Sequence, residues 1–205
     1  MGGVPVPAPA PRLPRSVTWG LLAAWAVHDA EELVTMPGWA DRARPRLERT
    51  VPRVPARVRD ALSVSRPHAT AAIGLVGAVV AAASARGART DGADPLYQAT
   101  LAGFGWHAVP HVASAVVTRG YTPGVLTAPT VVVPFAIWAR SRLRCAGVPV
   151  APTARAAALF GPLVVVGAHV AASGLLRLAE RWHRRRRWEI PGDRVDPGRG
   201  RSTSW

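Results

Sequence analysis

The chain has 205 residues and a formal net charge of +14, and this length suits one or two soluble domains or a small bundle of membrane helices. All 26 basic residues are Arg. They crowd between the apolar runs and into the stretch RWHRRRRW at 181–188 rather than onto one folded face, which argues against nucleic-acid binding. The single cysteine, Cys145, excludes an intramolecular disulfide and a cysteine-based zinc cage.

The apolar runs predict an all-α fold, a polytopic membrane helix bundle of about five transmembrane helices over residues 17–176. A span takes about 20 residues, and the candidates are 17–36, 67–85, 97–118, 121–139 and 153–176. Pro129 and Pro134 interrupt the fourth candidate, a kink that membrane helices tolerate when neighbouring groups satisfy the freed backbone. A buried soluble core is the alternative, but five apolar runs leave little polar helix surface to face water.

The segments outside these runs predict the topology. Residues 1–16 are rich in Pro and Ala, which predicts a disordered N-terminal segment, and the acids at 29–32 rule out a cleaved signal peptide. The segment 37–67 carries eight Arg and is expected to include an interfacial helix. A few residues around TRGYTPG join the third and fourth spans as a tight hairpin. Residues 177–205 form a basic, largely disordered tail. The Arg distribution predicts a plasma (inner) membrane protein with its N-terminus outside and its C-terminus cytoplasmic.

The first span contains an unusual polar stretch, WAVHDAEELV at 25–34. Charged residues at the centre of a bilayer are costly and usually mark a functional site. Because residues three and four apart share a helix face, His28, Glu31 and Glu32 are expected to point the same way, with Asp29 pointing elsewhere.

The third and fifth spans supply histidines at a similar depth. His107 and His111 are four residues apart and share a face of the third span, and His169 lies in the fifth. Odd-numbered spans run in one direction, so these histidines and the acids of the first span can converge. His68, at the end of the second span, is expected to be interfacial and solvated. Three interpretations fit: a divalent metal site, a proton-sharing network, or a structural polar cluster between helices.

Two of these stretches carry a resemblance to a known family. HDAEE at 28–32 and HAVPHVASAVVTRGYTPGVLTA at 107–128 resemble the HXXEE-motif family, bacterial multi-spanning membrane proteins of unknown function, over residues 19–172. Members often carry an Asn near the second histidine block. This chain has no Asn, so the site either lacks that group or takes His169 or a backbone carbonyl in its place. The resemblance nominates His28, Glu31, Glu32, His107 and His111 as site residues.

The spacing of the first motif also suggests a mechanism. It is similar to the His-x-x-Glu-His helix of inverted zinc proteases, in which the outer residues bind zinc and the inner Glu activates water. By analogy, His28 and Glu32 are metal ligands and Glu31 is the general base. His107, His111 and His169 are the further candidate ligands. The expected cofactor is zinc or iron, and the expected activity is hydrolysis of a lipid-like or membrane-embedded substrate.

Two interpretations without catalysis compete with this one. A polar layer inside a helix bundle could carry protons or metal ions across the membrane, although WGLLAAWAV, on the outer side of His28, offers no polar path. A structural or regulatory membrane subunit is the other alternative. It predicts that replacing Glu31 and Glu32 by Gln changes stability but no activity.

Overall fold

A computed structural model of the chain describes residues 12–55, 57, 63–149 and 154–188. Within these residues there are six α-helices and no strand, so the all-α prediction is confirmed there. A π-helical turn at Ala128–Val132 leads directly into the fifth helix. The α-helices are α1 (Arg15–Thr35), α2 (Trp39–Thr50), α3 (Arg66–Arg89), α4 (Pro95–Thr118), α5 (Val133–Cys145) and α6 (Ala154–Trp188).

Local sequence signals set where α3 and α4 begin. Ser65 caps α3 through its hydroxyl, which accepts a hydrogen bond from the backbone of His68. The Asp94 carboxylate caps α4 by accepting from the backbone N–H groups of Leu96 and Tyr97. Each cap satisfies N–H groups that have no partner inside the helix. The Asp94 carboxylate also accepts a 2.9 Å bond from Arg86 of α3, which ties the two helices together at their turn.

The hydrophobic core lies between α1, α4 and the π-turn with α5. Leu21 of α1, Leu101 of α4 and Leu143 of α5 are among its fully buried side chains. The Tyr97 hydroxyl donates a 2.7 Å hydrogen bond to the carbonyl of Val17, so this buried polar group is paired.

Contacts at opposite ends of the helices show that neighbours alternate in direction. Leu13, before α1, and Leu143, late in α5, both pack at Gly92 after α3. At the other end of α1, His28 contacts Thr127, just before the π-turn. α6 crosses α4 where Gly103 and Gly161 bring the two backbones together, a close approach that a side chain would obstruct.

Two of the helices are long and apolar enough to cross a membrane: Arg66–Arg89, and Leu159–Arg186 within α6. The polar residues of α1 and α4 lower their mean hydropathy, and α5 is short. Large apolar side chains cover the outer surface of α6, among them Leu163, Val170 and Leu178, each more than half exposed. The described part of the chain therefore supports a membrane location through these two helices.

Several predicted boundaries differ from the observed ones. The fourth predicted span, 121–139, is helical only from Ala128, because Pro123 and Gly124 hold the preceding residues in a loop. α6 continues to Trp188, so residues 177–188 are helical and not a disordered tail; Arg is a good helix former, and Glu180 pairs with Arg184 one turn on. α1 begins at Arg15. The predicted disorder at 1–11 and 189–205 lies outside the described residues.

α2 is an amphipathic helix within the segment where an interfacial helix is predicted. Ala40, Ala43 and Leu47 are its buried residues, and their spacing places them on one face. Trp39 and Arg46 both donate hydrogen bonds to the carbonyl of Tyr121, at 3.0 and 2.7 Å. α2 is thereby attached to the loop at 120–127 that follows α4.

Candidate metal centre

Four side chains from α1 and α4 converge in the interior. His28, Glu32, His107 and His111 each contribute one ligand-type atom, and these atoms all lie within 4.8 Å of one another. His28 and Glu32 are buried, and the two histidines of α4 are half-buried. Each helix supplies a pair four residues apart, which places both members of the pair on one face. The convergence predicted from the sequence is observed for these four residues.

The donor atoms lie at separations that suit a single small cation. The His107 and His111 Nε2 atoms are 2.9 Å apart. Oε1 of Glu32 is 3.2 Å from Nε2 of His111 and 3.7 Å from Nε2 of His28. Zinc binds imidazole nitrogen at about 2.0–2.1 Å, so tetrahedral ligands stand about 3.3 Å apart. The four side chains could therefore hold a metal ion once the ligand atoms that lie farther apart, at up to 4.8 Å, draw closer.

The outward-facing nitrogen of His28 is held by a relay of hydrogen bonds. The Thr127 hydroxyl lies 2.7 Å from His28 Nδ1 and donates a 2.6 Å hydrogen bond to Oε2 of Glu31. A carboxylate can only accept hydrogen bonds. The Thr127 hydroxyl therefore donates its hydrogen to Glu31 and accepts a hydrogen bond from the N–H at His28 Nδ1. The His28 Nε2 lone pair is then left facing the other ligand atoms. That nitrogen is buried without a hydrogen-bond partner among the described residues.

His111 is fixed in the same way by a backbone carbonyl. Its Nδ1 lies 2.8 Å from the carbonyl oxygen of Pro123. A carbonyl only accepts, so Nδ1 carries the proton and Nε2 presents its lone pair to Glu32 and His107. Metal-binding histidines usually donate their second ring N–H to a carbonyl or carboxylate, and both histidines follow this rule, His28 through Thr127.

Glu31 takes a different place from the one the sequence predicts. Its carboxylate faces the loop at 120–127 instead of the shared ligand atoms. It accepts hydrogen bonds from the Tyr121 hydroxyl at 2.7 Å, from the Thr127 backbone at 2.9 Å and hydroxyl, and from the Leu126 backbone at 3.3 Å. The geometry makes Glu31 a positioning residue that orients Thr127 and, through it, His28.

His169 also departs from its predicted place. Its Nδ1 lies 2.9 Å from Nε2 of His68, and the two rings stack with centroids 5.1 Å apart. The pair joins α3 to α6, and His169 is not part of the four-residue group. The expectation that His169 completes the ligand set is wrong in this geometry, because its ring is turned toward α3. His68, expected to be solvated, is half-buried beside it.

Two cavities flank the group. One, of about 90 Å³, is walled mainly by apolar residues of α1, α3, α4 and α6, with Asp29, Glu32 and His107 among its polar lining. The larger one, of about 1180 Å³, reaches Glu32 and His111 from the side of α2. Asp29, which the sequence places away from the other acids, is buried and shares the small cavity with Glu32.

The loop at 120–127 is the part of the site that sequence reasoning missed. Gly124 has φ +80°, and a Cβ there would stand 2.5 Å from His111 Nδ1 and 2.9 Å from His28 Cε1. Only glycine lets the loop approach both rings this closely. The Tyr-x-Pro-Gly stretch was visible in the sequence, but spacing alone could not show that the loop folds back onto α1.

The fold and site together define an all-α protein with two candidate membrane helices and a buried His₃Glu group that could hold a metal ion. The chain belongs to the family described as protein of unknown function with HXXEE motif, whose family model matches residues 19–139, more than half of the chain. His28, Glu31 and Glu32 are the named positions of that motif. The match ends before α6, so His169 lies outside it. No curated protein and no solved structure matches the chain.

Proposed function

We propose that this protein is a multi-spanning membrane protein that binds one divalent metal ion through His28, Glu32, His107 and His111. The observation that carries the proposal is the direction of the lone pairs. His28 Nε2, His111 Nε2 and the Glu32 carboxylate all present electron pairs to the same small volume, while oxygen atoms hold the remote nitrogens of both histidines. Such a set attracts a cation.

A proton-sharing network explains the same residues less well. A proton on His28 Nε2 would face Glu32 Oε1 at 3.7 Å, which is too long for a hydrogen bond. The ring is fully buried, so its charge would also lack water. A metal ion at the centre would reach all four ligands and balance the Glu32 charge without a long contact.

We further propose that the metal serves hydrolysis of a lipid-like substrate. A bound divalent ion lowers the pKa of its water to about 7 and polarises a carbonyl or phosphoryl oxygen. Four protein ligands fill a tetrahedral zinc site, so activity requires a five- or six-coordinate ion with an open position. Iron and manganese accept such geometries with His and carboxylate ligands. Glu32 lines both cavities, so a substrate in either cavity would lie beside an ion held by Glu32.

Metal analysis of the detergent-purified protein tests the binding proposal. The parent is expected to hold one zinc, iron or manganese per chain, and His107→Ala and Glu32→Gln are expected to lose it. His183→Ala, on the exposed end of α6, is the matched histidine control and should keep the metal. If the folded parent takes up no metal when it is incubated with each of the three ions, the metal-binding proposal is refuted.

Activity is tested separately on mixed micelles. Ester and phosphodiester lipids are incubated with the metal-loaded parent, and the products are followed by mass spectrometry. Hydrolysis should disappear with a chelator and in His107→Ala, and persist in His183→Ala. If the protein binds stoichiometric metal but hydrolyses none of the tested lipids, the metal-binding proposal stands and the hydrolase proposal is refuted.

A further inference from the structure

The larger cavity is a cleft that opens at the side of the helix bundle. α2, α4 and α6 form most of its walls, together with Glu32 of α1, Met36 just after α1, and Ser65 and His68 at the start of α3. We call it the lateral cleft. Its volume of about 1180 Å³ slightly exceeds the usual range for ligand sites, about 300–1,000 Å³. Its apolar walls are formed by Leu47 and Val51 from α2 and its C-terminal end, Val117 from α4, and Val166 and Val170 from α6.

The rim of the lateral cleft continues the apolar outer surface of α6. Val117, Val166 and Val170 line the cleft and are also 58, 59 and 68% exposed. Leu163 and Leu178 extend the same exposed apolar surface along α6. This helix contains one of the two candidate membrane spans. An apolar chain in the bilayer could therefore pass from that surface into the cleft without crossing water.

The inner end of the lateral cleft is polar. Glu32 and His111 form it, with Ser114 and Thr122 beside them. Glu32 lies three residues before the end of α1 and His111 seven before the end of α4, which places them about 5 and 10 Å below the helix ends at a rise of 1.5 Å per residue. That depth suits the linkage between a headgroup and its acyl chain, near the boundary of the hydrocarbon core.

We infer that the lateral cleft binds the acyl chain of a membrane amphiphile, which enters sideways from the bilayer between α4 and α6. The chain lies along Val117, Val166 and Val170, and its polar end rests against Glu32 and His111. This inference gives the proposed hydrolase its substrate class and the route by which the substrate enters. The reaction itself rests on the proposed function, whereas binding of the acyl chain requires only the lateral cleft.

Photolabelling tests this binding in the full chain. The protein is reconstituted in vesicles of phosphatidylethanolamine and phosphatidylglycerol that contain palmitic acid with a diazirine on its chain, and labelled residues are located by mass spectrometry. Leu47 is only 3% exposed and lines the cleft, so bilayer lipid around the bundle does not reach it. We expect label on Leu47 and Val51 in addition to the outer face of α6.

Two blocking variants and a matched control make the test specific. Val117→Trp and Val170→Trp place an indole in the cleft and should remove the label from Leu47. Val116→Trp is the neighbouring substitution on α4; Val116 is 71% exposed and does not line the cleft, so this variant should keep the label. Label confined to Leu163 and Leu178, or Leu47 label that survives both blocking variants, would overturn the inference.

The metal-site variant separates this inference from the proposed function. His107 does not line the lateral cleft, so His107→Ala should lose metal and still label Leu47. Label at Leu47 in a parent that binds no metal would support the cleft while refuting the metal site. If the parent binds stoichiometric metal but Leu47 is not labelled, the metal site is supported and the cleft is refuted as a binding site for an acyl chain.

Discussion

Replacing Thr127 by Val tests whether the relay behind His28 serves the metal site. The change keeps the shape of the side chain and removes the hydroxyl that accepts from His28 Nδ1 and donates to Glu31. Without it, the His28 ring loses its preferred tautomer and orientation, although every ligand remains. Loss of such an outer partner typically lowers metal affinity 10–100-fold, or about 1.4–2.8 kcal/mol.

The measurement is competition for zinc or manganese against a chromophoric chelator, with Thr130→Val as the control. Thr130 is exposed, and its hydroxyl donates to the carbonyl of Leu126 in its own turn, so its variant should match the parent. Glu31→Gln should weaken binding in the same direction, because an amide can turn its NH₂ toward the hydroxyl and reverse the relay. Parent-like affinity in Thr127→Val would refute the reasoning, since the relay would then have no effect on His28.

Three further predictions concern the surroundings of the site. Gly124→Ala should abolish metal binding, since the methyl group would overlap two ligand rings and the backbone has φ +80°; metal analysis of the folded variant checks this, and retained metal contradicts it. His169→Ala should lower the melting temperature without changing metal content, because its ring bonds to His68 and not to the ligand group; loss of metal would contradict that assignment. Asp94→Ala should destabilise the protein by about 1–2 kcal/mol at pH 7, the usual loss for an N-cap, measured by chemical unfolding in detergent and contradicted by a parent-like midpoint.

The pH dependence of stability should carry the contribution of Asp94. Partial burial alone would raise the pKa of this carboxyl, but the hydrogen bond from Arg86 and those from two backbone amides lower it below its ordinary value. A lowered pKa in the folded state stabilises the protein above the unfolded-state value of about 3.9 and is lost as the pH falls through the folded-state pKa. Stability of the parent should therefore drop below about pH 4 more than that of Asp94→Ala. Equal losses in both would contradict the prediction.

The sequence predicted the parts of the site that depend on helix periodicity. The spacing of His28 with Glu32 and of His107 with His111 needs only the 3.6-residue turn, and the common direction of α1 and α4 follows from alternating helices. The expected direction of the Glu31 side chain is wrong because residues three and four positions after His28 differ in direction by about 100°. That angle is enough to send one carboxylate into the ligand group and its neighbour into the loop.

The remaining parts depend on contacts between residues that are far apart in sequence. The hydroxyl of Thr127 reaches the site only because the loop after α4 folds back over α1, where it contacts His28, 99 residues earlier in the chain, and Glu31, 96 residues earlier. His169 has the right depth but the wrong rotation about the axis of α6, which depends on how α6 packs against α3. Neither a loop path nor a helix rotation can be read from apolar periodicity alone.

The distribution of hydrogen bonds favours a metal site over a cluster that merely holds helices together. A structural cluster stabilises by pairing its buried polar atoms with one another. Here loop atoms hold the outer nitrogens of His28 and His111. On the inner side the Nε2 atoms of His107 and His111 pair at 2.9 Å, but His28 Nε2 has no partner among the described residues. Leaving such an atom unpaired costs about 1–3 kcal/mol. A protein that fixes its rings in this way leaves the buried His28 Nε2 facing the other ligand-type atoms at a cost in stability, an arrangement that a cation could satisfy.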